Sequence, residues 1–234
     1  MKDQSYEQEV QHRVRSMMPI SGTAVRRCVA LASLALAVGF AFSCASVNNL
    51  GQNLGPLEPA DLCKCTPLDQ GIEYRHGEKH VPIPTMPPEE VTIDTIYSWP
   101  QNDPGSLDPP RTGVELQIFH VAVAFVQEVS LNSEDCDIHV EISETADKTA
   151  RRVIVETPVD SEYCSARQNL QAQLAKHGIK LDPTHGGELP QALPADVVGL
   201  AFLDFDHNAI GLGRGSSQVG TLWEIHPAIV NLAP

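Results

Sequence analysis

The stretch Glu134–Pro158, EDCDIHVEISETADKTARRVIVETP, decides how this chain folds. Ile138, Val140 and Ile142 alternate with Asp137, His139 and Glu141, the period of two that a strand with one buried face requires. After a polar turn, Arg152–Glu156 reads as a second strand, and Pro158, which cannot donate to a ladder, ends it. The pair predicts a hairpin with an oily face and a face carrying an imidazole between carboxylates. Near the C-terminus, TLWEIHP (Thr221–Pro227) places Glu224 and His226 on one face of another strand.

Working outward, Val114–Val129 is β-rich and predicts a strand before the hairpin, with Val121, Val123, Phe125 and Gln127 on one face and His120, Ala122, Ala124 and Val126 on the other. Ser161–His177 predicts a helix, with Ala166, Leu170 and Leu174 spaced by four and Gly178 as its stop. Asp182–Pro194 reads as a Pro- and Gly-rich loop, and Asp196–Phe205 and Thr221–Val230 as the last two strands. Three strands, a helix and two strands form the string of a mainly β, five-stranded OB-like barrel with its helix between strands three and four. A small mixed sheet with one helix gives the same string.

The preceding region is different. Residues 44–110 are crowded with Pro, Gly and Asn and show no sustained period, so they read as an irregular Pro-rich tether lying beside a domain that spans 111–234. Glu90–Trp99 is its one candidate strand. Before it, Arg26-Arg27 and an apolar run from Cys28 to Phe42 lead to Ala41-Phe42-Ser43-Cys44, which resembles a bacterial lipoprotein signal. That resemblance implies a signal peptide over 1–43, with Cys44 lipidated and the protein exported and membrane-anchored in the cell envelope, periplasmic or at the outer surface. Ordinary secretion and a retained anchor are the alternatives, and Met17 or Met18 are alternative starts.

The whole chain carries −14; residues 1–43 hold five Lys/Arg and three Asp/Glu, so the part from Cys44 onward carries −16. Such a surface repels phosphate backbones, which excludes nucleic acid as a partner and leaves cationic ligands, metals and envelope proteins. Cys63, Cys65, Cys136 and Cys164 suggest two disulfides with three connectivities. The preferred pair is Cys136 with Cys164, which flank the hairpin, leaving Cys63 and Cys65 to pair with each other or stay reduced. Cys63-x-Cys65 with His76-x-x-x-His80 offers zinc-type ligands, although the Cys spacing is short and export favours oxidation.

Asp137, His139, Glu156, Asp204, His207, Glu224 and His226 form the candidate polar cluster if these faces converge. Two imidazoles among carboxylates suit a divalent metal with His139 and His226 as ligands, or a satisfied hydrogen-bonded network. Gly211-x-Gly213-x-Gly215 with Arg214 links two strands and does not open a helix, so it reads as a flexible loop more than a phosphate cradle. No nucleophile elbow, catalytic triad or dinucleotide fingerprint is present. Asp137-x-His139, Val153–Pro158, Leu203–His207 and Trp223–Pro227 together resemble a family of bacterial exported proteins with D-x-H, E-x-P and closing W-E-[IL]-H-P motifs and no established activity. The resemblance covers Val114 onward. The expectation is a non-enzymatic binding or structural module of the envelope, and the alternative is a metal-dependent hydrolase using the His/Asp/Glu cluster on the barrel face.

Overall fold

The structure, a computed structural model, describes residues 61–67, 74–106, 108–182, 186–205 and 215–233. Six strands occur there: β1 (Glu89–Glu90), β2 (Ile118–Leu131), β3 (Ile138–Ser143), β4 (Arg152–Thr157), β5 (Gly187–Leu203) and β6 (Val219–Leu232). Three α-helices accompany them: α1 (His76–Lys79), α2 (Ile93–Ser98) and α3 (Cys164–Lys176). The order β1-β2-β3-β4-β6-β5 closes on itself through β2 and β5, so β2 to β6 make a five-stranded barrel. β4 and β6 run parallel and the other barrel pairs antiparallel, with α3 between the third and fourth barrel strands, which is the OB arrangement expected from the sequence.

Closure requires β2 to serve two neighbours. Its second half pairs with β3 and most of its length with β5, and irregularities fall between Val121 and Ala124 and between Val126 and Glu128. Each bulge adds a residue and shifts which side chains point inward. The predicted faces of this strand are corrected accordingly: Val121, Ala124, Val126 and Val129 are buried in the core, while Val123 is 68% exposed. Gln127 is turned into the bulge, where its amide donates to Ser143 Oγ at 2.8 Å and to the Thr145 carbonyl at 3.0 Å.

β5 begins at Gly187, inside the predicted loop. Gly187, Glu188, Leu193 and Pro194 pair with β2, and pairing with β6 starts only at Ala195, so Pro194 sits where one strand edge has no ladder to break, and Pro190 lies between Glu188 and Leu193, where the register with β2 shifts. Glu90–Trp99 is corrected as well: only Glu89–Glu90 is strand, and α2 follows. Thr92 caps that helix by accepting from Thr95 N–H at 3.1 Å, and Ile93 and Ile96, three apart, are both fully buried.

The interior is filled by the oily rows Ile138/Val140/Ile142, Val153/Val155 and Ile225/Ala228/Val230, joined by Leu170 and Leu174 of α3. Leu62, Ile93 and Ile96, from the region read as a tether, belong to the same core. Two disulfides fix that region: Cys63–Cys164 and Cys65–Cys136. The expected Cys136–Cys164 pair is therefore wrong in connectivity, although both cysteines are oxidised. Each reaches back to the Pro-rich arm, a partner that sequence proximity does not suggest.

Candidate functional site

Because Ile138, Val140 and Ile142 point inward, Asp137, His139 and Glu141 lie on the outer face of β3. Glu156 of β4 and Glu224 and His226 of β6 lie on the same outer face, across neighbouring strands. An outer face normally meets water. Here Asp137, Glu141 and His226 are fully buried and Glu224 is 2% exposed, with His80 and Arg111 lying against His226.

The arm is held by cations. Arg75 grips Glu115 with both terminal nitrogens, at 2.7 and 3.2 Å, and donates to the Leu203 carbonyl at 3.3 Å. Arg111 donates to the carbonyls of Ala201 at 2.5 Å and His226 at 2.6 Å, tying the arm to β5 and β6 together. Arg75, Arg111 and Lys79 surround the Phe202 ring at 4.7, 5.2 and 5.4 Å from its centroid. Beneath them, His80 pairs with Asp160 at 2.6 Å, its ring 6.3 Å from that of His226.

At the centre, the Glu156 carboxylate reaches two imidazoles: Oε1 is 2.9 Å from His139 Nδ1 and Oε2 is 2.9 Å from His226 Nδ1. On the other side of the His226 ring, Nε2 lies 3.1 Å from Asp137 Oδ2; Glu224 Oε2 is 3.5 Å from Nδ1. Burial alone would push both histidines toward the neutral form. For His139 the carboxylates of Glu141 and Glu156 overturn that and raise it to about 10. For His226, Asp137, Glu156 and Glu224 do the same, holding the ring well above the ordinary histidine value. Glu156, pushed up by burial, is drawn well below the usual carboxylate range by the two imidazoles.

A second charged group lies further along β3. Glu141 meets Arg152 at 3.1 Å and accepts from Ser216 through both its N–H and its hydroxyl; Arg152 also grips Glu188 at 2.9 Å. Gly215 is pressed against Glu141 so closely that a Cβ there would come within 2.6 Å of Oε1. Gly215 and Ser216, just ahead of β6, thus close over this carboxylate.

Five of the predicted cluster residues, Asp137, His139, Glu156, Glu224 and His226, are brought together. Asp204, just past β5, faces Lys79 of the arm at 3.3 Å. His207, the glycine loop up to Arg214 and Cys44 lie outside the described residues. The Cys63/Cys65 zinc arrangement is ruled out by the disulfides, which leave neither thiol to ligate; His76 and His80 instead stack, with centroids 4.1 Å apart. Sequence reasoning missed Arg75, Arg111 and Arg167. Arg167 is fully buried and donates to the carbonyls of Leu62, Thr157 and Cys136 at 3.1, 2.7 and 2.8 Å. Its one signal is spacing: Arg167, Leu170 and Leu174 form the buried stripe of α3, displaced by one position from the predicted Ala166.

An open depression of about 510 Å³ lined by Glu90, Val91, Thr92, Thr95, Ala122, Val123 and Glu144 holds none of the cluster residues. Among the described residues no helix is long and apolar enough to cross a membrane. No protein-family model, curated protein or solved structure matches the chain.

Proposed function

We propose that this chain is an exported, lipid-anchored protein whose barrel serves the bacterial cell envelope as a non-enzymatic binding or structural module. The observation that carries the reading is the enclosure of its ionic cluster. Asp137 and His226 have no exposed surface, and a substrate could reach them only if the arm lifted against two disulfides and the Arg75 and Arg111 contacts. Of the residues that look catalytic in sequence, Asp204 pairs with Lys79 of the arm and His226 holds Arg111 through its carbonyl, while Asp137, His139 and Glu156 pair within the buried cluster. Two disulfides also suit an oxidising compartment, in agreement with the leader and with Cys44 as the lipidated residue. The charge of −16 from Cys44 onward favours a cationic ligand or a basic envelope protein as partner.

The second reading, a metal-dependent hydrolase, has one favouring observation: ligand atoms of Asp137, Glu156 and His226 lie within 4.8 Å of one another. Hydrolysis also needs a coordination position open to water, which the enclosure works against. Labelling cells with a lipid precursor tests the anchor. Incorporation that disappears in Cys44→Ser, with the protein leaving the membrane fraction, is expected; unchanged incorporation overturns it. Ester, phosphoester and peptide substrates presented to the purified protein test the non-enzymatic reading, and turnover abolished by His226→Gln would overturn it.

A further inference from the structure

We propose that Asp137, Glu156 and His226 form a closed binding site for one divalent transition-metal cation at the junction of arm and barrel. The three residues come from separate segments, the start of β3, the end of β4 and the middle of β6, and only barrel closure brings them together. Each offers one ligand atom, and the three atoms lie within 4.8 Å of one another, all in buried residues. Two ligands at about 2.1 Å from a tetrahedral zinc ion stand about 3.4 Å apart, so side-chain movements of up to about 1.4 Å would complete the approach. Imidazole with carboxylates suits zinc, manganese or ferrous iron and disfavours calcium and magnesium, which take oxygen alone.

A second observation is independent of this convergence. Both ring nitrogens of His226 and Oδ2 of Asp137 are buried without a hydrogen bond of acceptable direction. Oxygens stand 2.9 and 3.1 Å from the ring, yet no N–H is aimed along those lines. Leaving such a buried group unsatisfied costs about 1–3 kcal/mol. A cation taking the place of one ring proton would draw a His226 nitrogen and the Asp137 and Glu156 oxygens onto one centre.

The remaining oxygens are already engaged, as supporting partners of ligands usually are. Asp137 Oδ1 accepts from Val159 N–H at 3.0 Å, which leaves Oδ2 for the site. Glu156 Oε1 is taken by His139 at 2.9 Å, which leaves Oε2 facing His226. Arg111 holds the His226 backbone through its carbonyl. Charge bears on the site as well: Asp137, Glu156 and Glu224 surround one imidazole, and on taking a cation that ring would release its proton, so the dication would stand in for the ring's positive charge among the carboxylates.

The test uses the full disulfide-bonded chain, stripped with chelator and titrated with zinc alone, and separately with cobalt for its visible absorption. One equivalent should bind, raise the Tm and give a cobalt spectrum of nitrogen and oxygen ligation. Asp137→Asn, Glu156→Gln and His226→Gln should each weaken zinc by on the order of 100-fold or more, while His120→Gln, in the separate Glu90–His120–Asp196 group, should not. Absence of stoichiometric binding by the wild-type protein overturns the site even if a variant fails to fold. Binding that survives all three substitutions overturns it as well. Either failure leaves the non-enzymatic reading standing, since that reading does not require a metal.

Discussion

Cys65 of the arm is bonded to Cys136, the residue immediately before the buried carboxylate of Asp137. The bridge therefore anchors the cover of the polar cluster beside one of the residues it covers. Cys63–Cys164 adds a second tie at the start of α3, and the two close stretches of 71 and 101 residues. Replacing either pair with serine should lower unfolding stability by about 2–5 kcal/mol in denaturant titration. Limited proteolysis of the fully reduced protein should then cut first within 67–110, before any barrel strand. Unchanged protection of the arm after reduction would show that Arg75, Arg111 and the buried Leu62, Ile93 and Ile96 hold it without the bridges.

Arg167 spreads one guanidinium over three carbonyls, from the arm, the end of β4 and the turn before β3. Burial pushes its pKa down, with Asp137 the leading charge that opposes the shift. Arg167→Ala would strand three buried acceptors, each worth about 1–3 kcal/mol when left unpaired, and should abolish cooperative thermal unfolding near ambient temperature. Arg167→Lys keeps the charge but not the fork, so it should fall between the two. A lysine variant as stable as wild type would mean that charge alone matters there.

These contacts mark the limit of what the sequence makes legible. Alternation in Asp137–Ile142 and Arg152–Glu156 reveals the strands and places Asp137, His139, Glu156, Glu224 and His226 on outward faces, because period two follows directly from the pleat. The helix and the strand order follow as well. The bulges of β2 do not, since Val121 to Val129 is equally apolar in either register and no glycine or proline marks the slip. Pro190 and Pro194 read as loop because the register shift around the first and the missing β6 partner of the second are tertiary facts. The arm over the cluster is hidden for a similar reason: Arg111 acts on backbone carbonyls, which carry no residue pattern, and Arg75 pairs with a glutamate 40 residues away.

Gly199 and Gly77 give a matched test of packing. A Cβ on Gly199 would lie 2.4 Å from the Pro227 carbonyl oxygen and 2.9 Å from Ala228 Cα, where β5 and β6 approach at an irregularity next to His226. Backbone cannot swing away as a side chain can, so Gly199→Ala should cost about 1–3 kcal/mol. Gly77, in α1, has nothing within 4 Å of its Cβ position. Gly77→Ala should leave the Tm unchanged or raise it slightly through helix propensity. Equal effects at both positions would contradict the close approach.

Glu141 should make the protein acid-sensitive in a defined range. Burial raises its pKa, but His139, Ser216 and Arg152 together outweigh that and hold it at about 2, below the ordinary 4.5. A carboxyl depressed on folding stabilises the native state above its unfolded value, and that contribution fades as pH falls from 4.5 through about 2. Wild-type stability should therefore decline across this interval, whereas Glu141→Gln should start lower at neutral pH, with Arg152 deprived of its buried partner, and decline less. Denaturant midpoints at about pH 6, 4 and 2.5 for both proteins measure the difference. Parallel curves would mean that Glu141 titrates alike in the folded and unfolded chains, and that its bonds to Ser216 and Arg152 do not favour its ionised form.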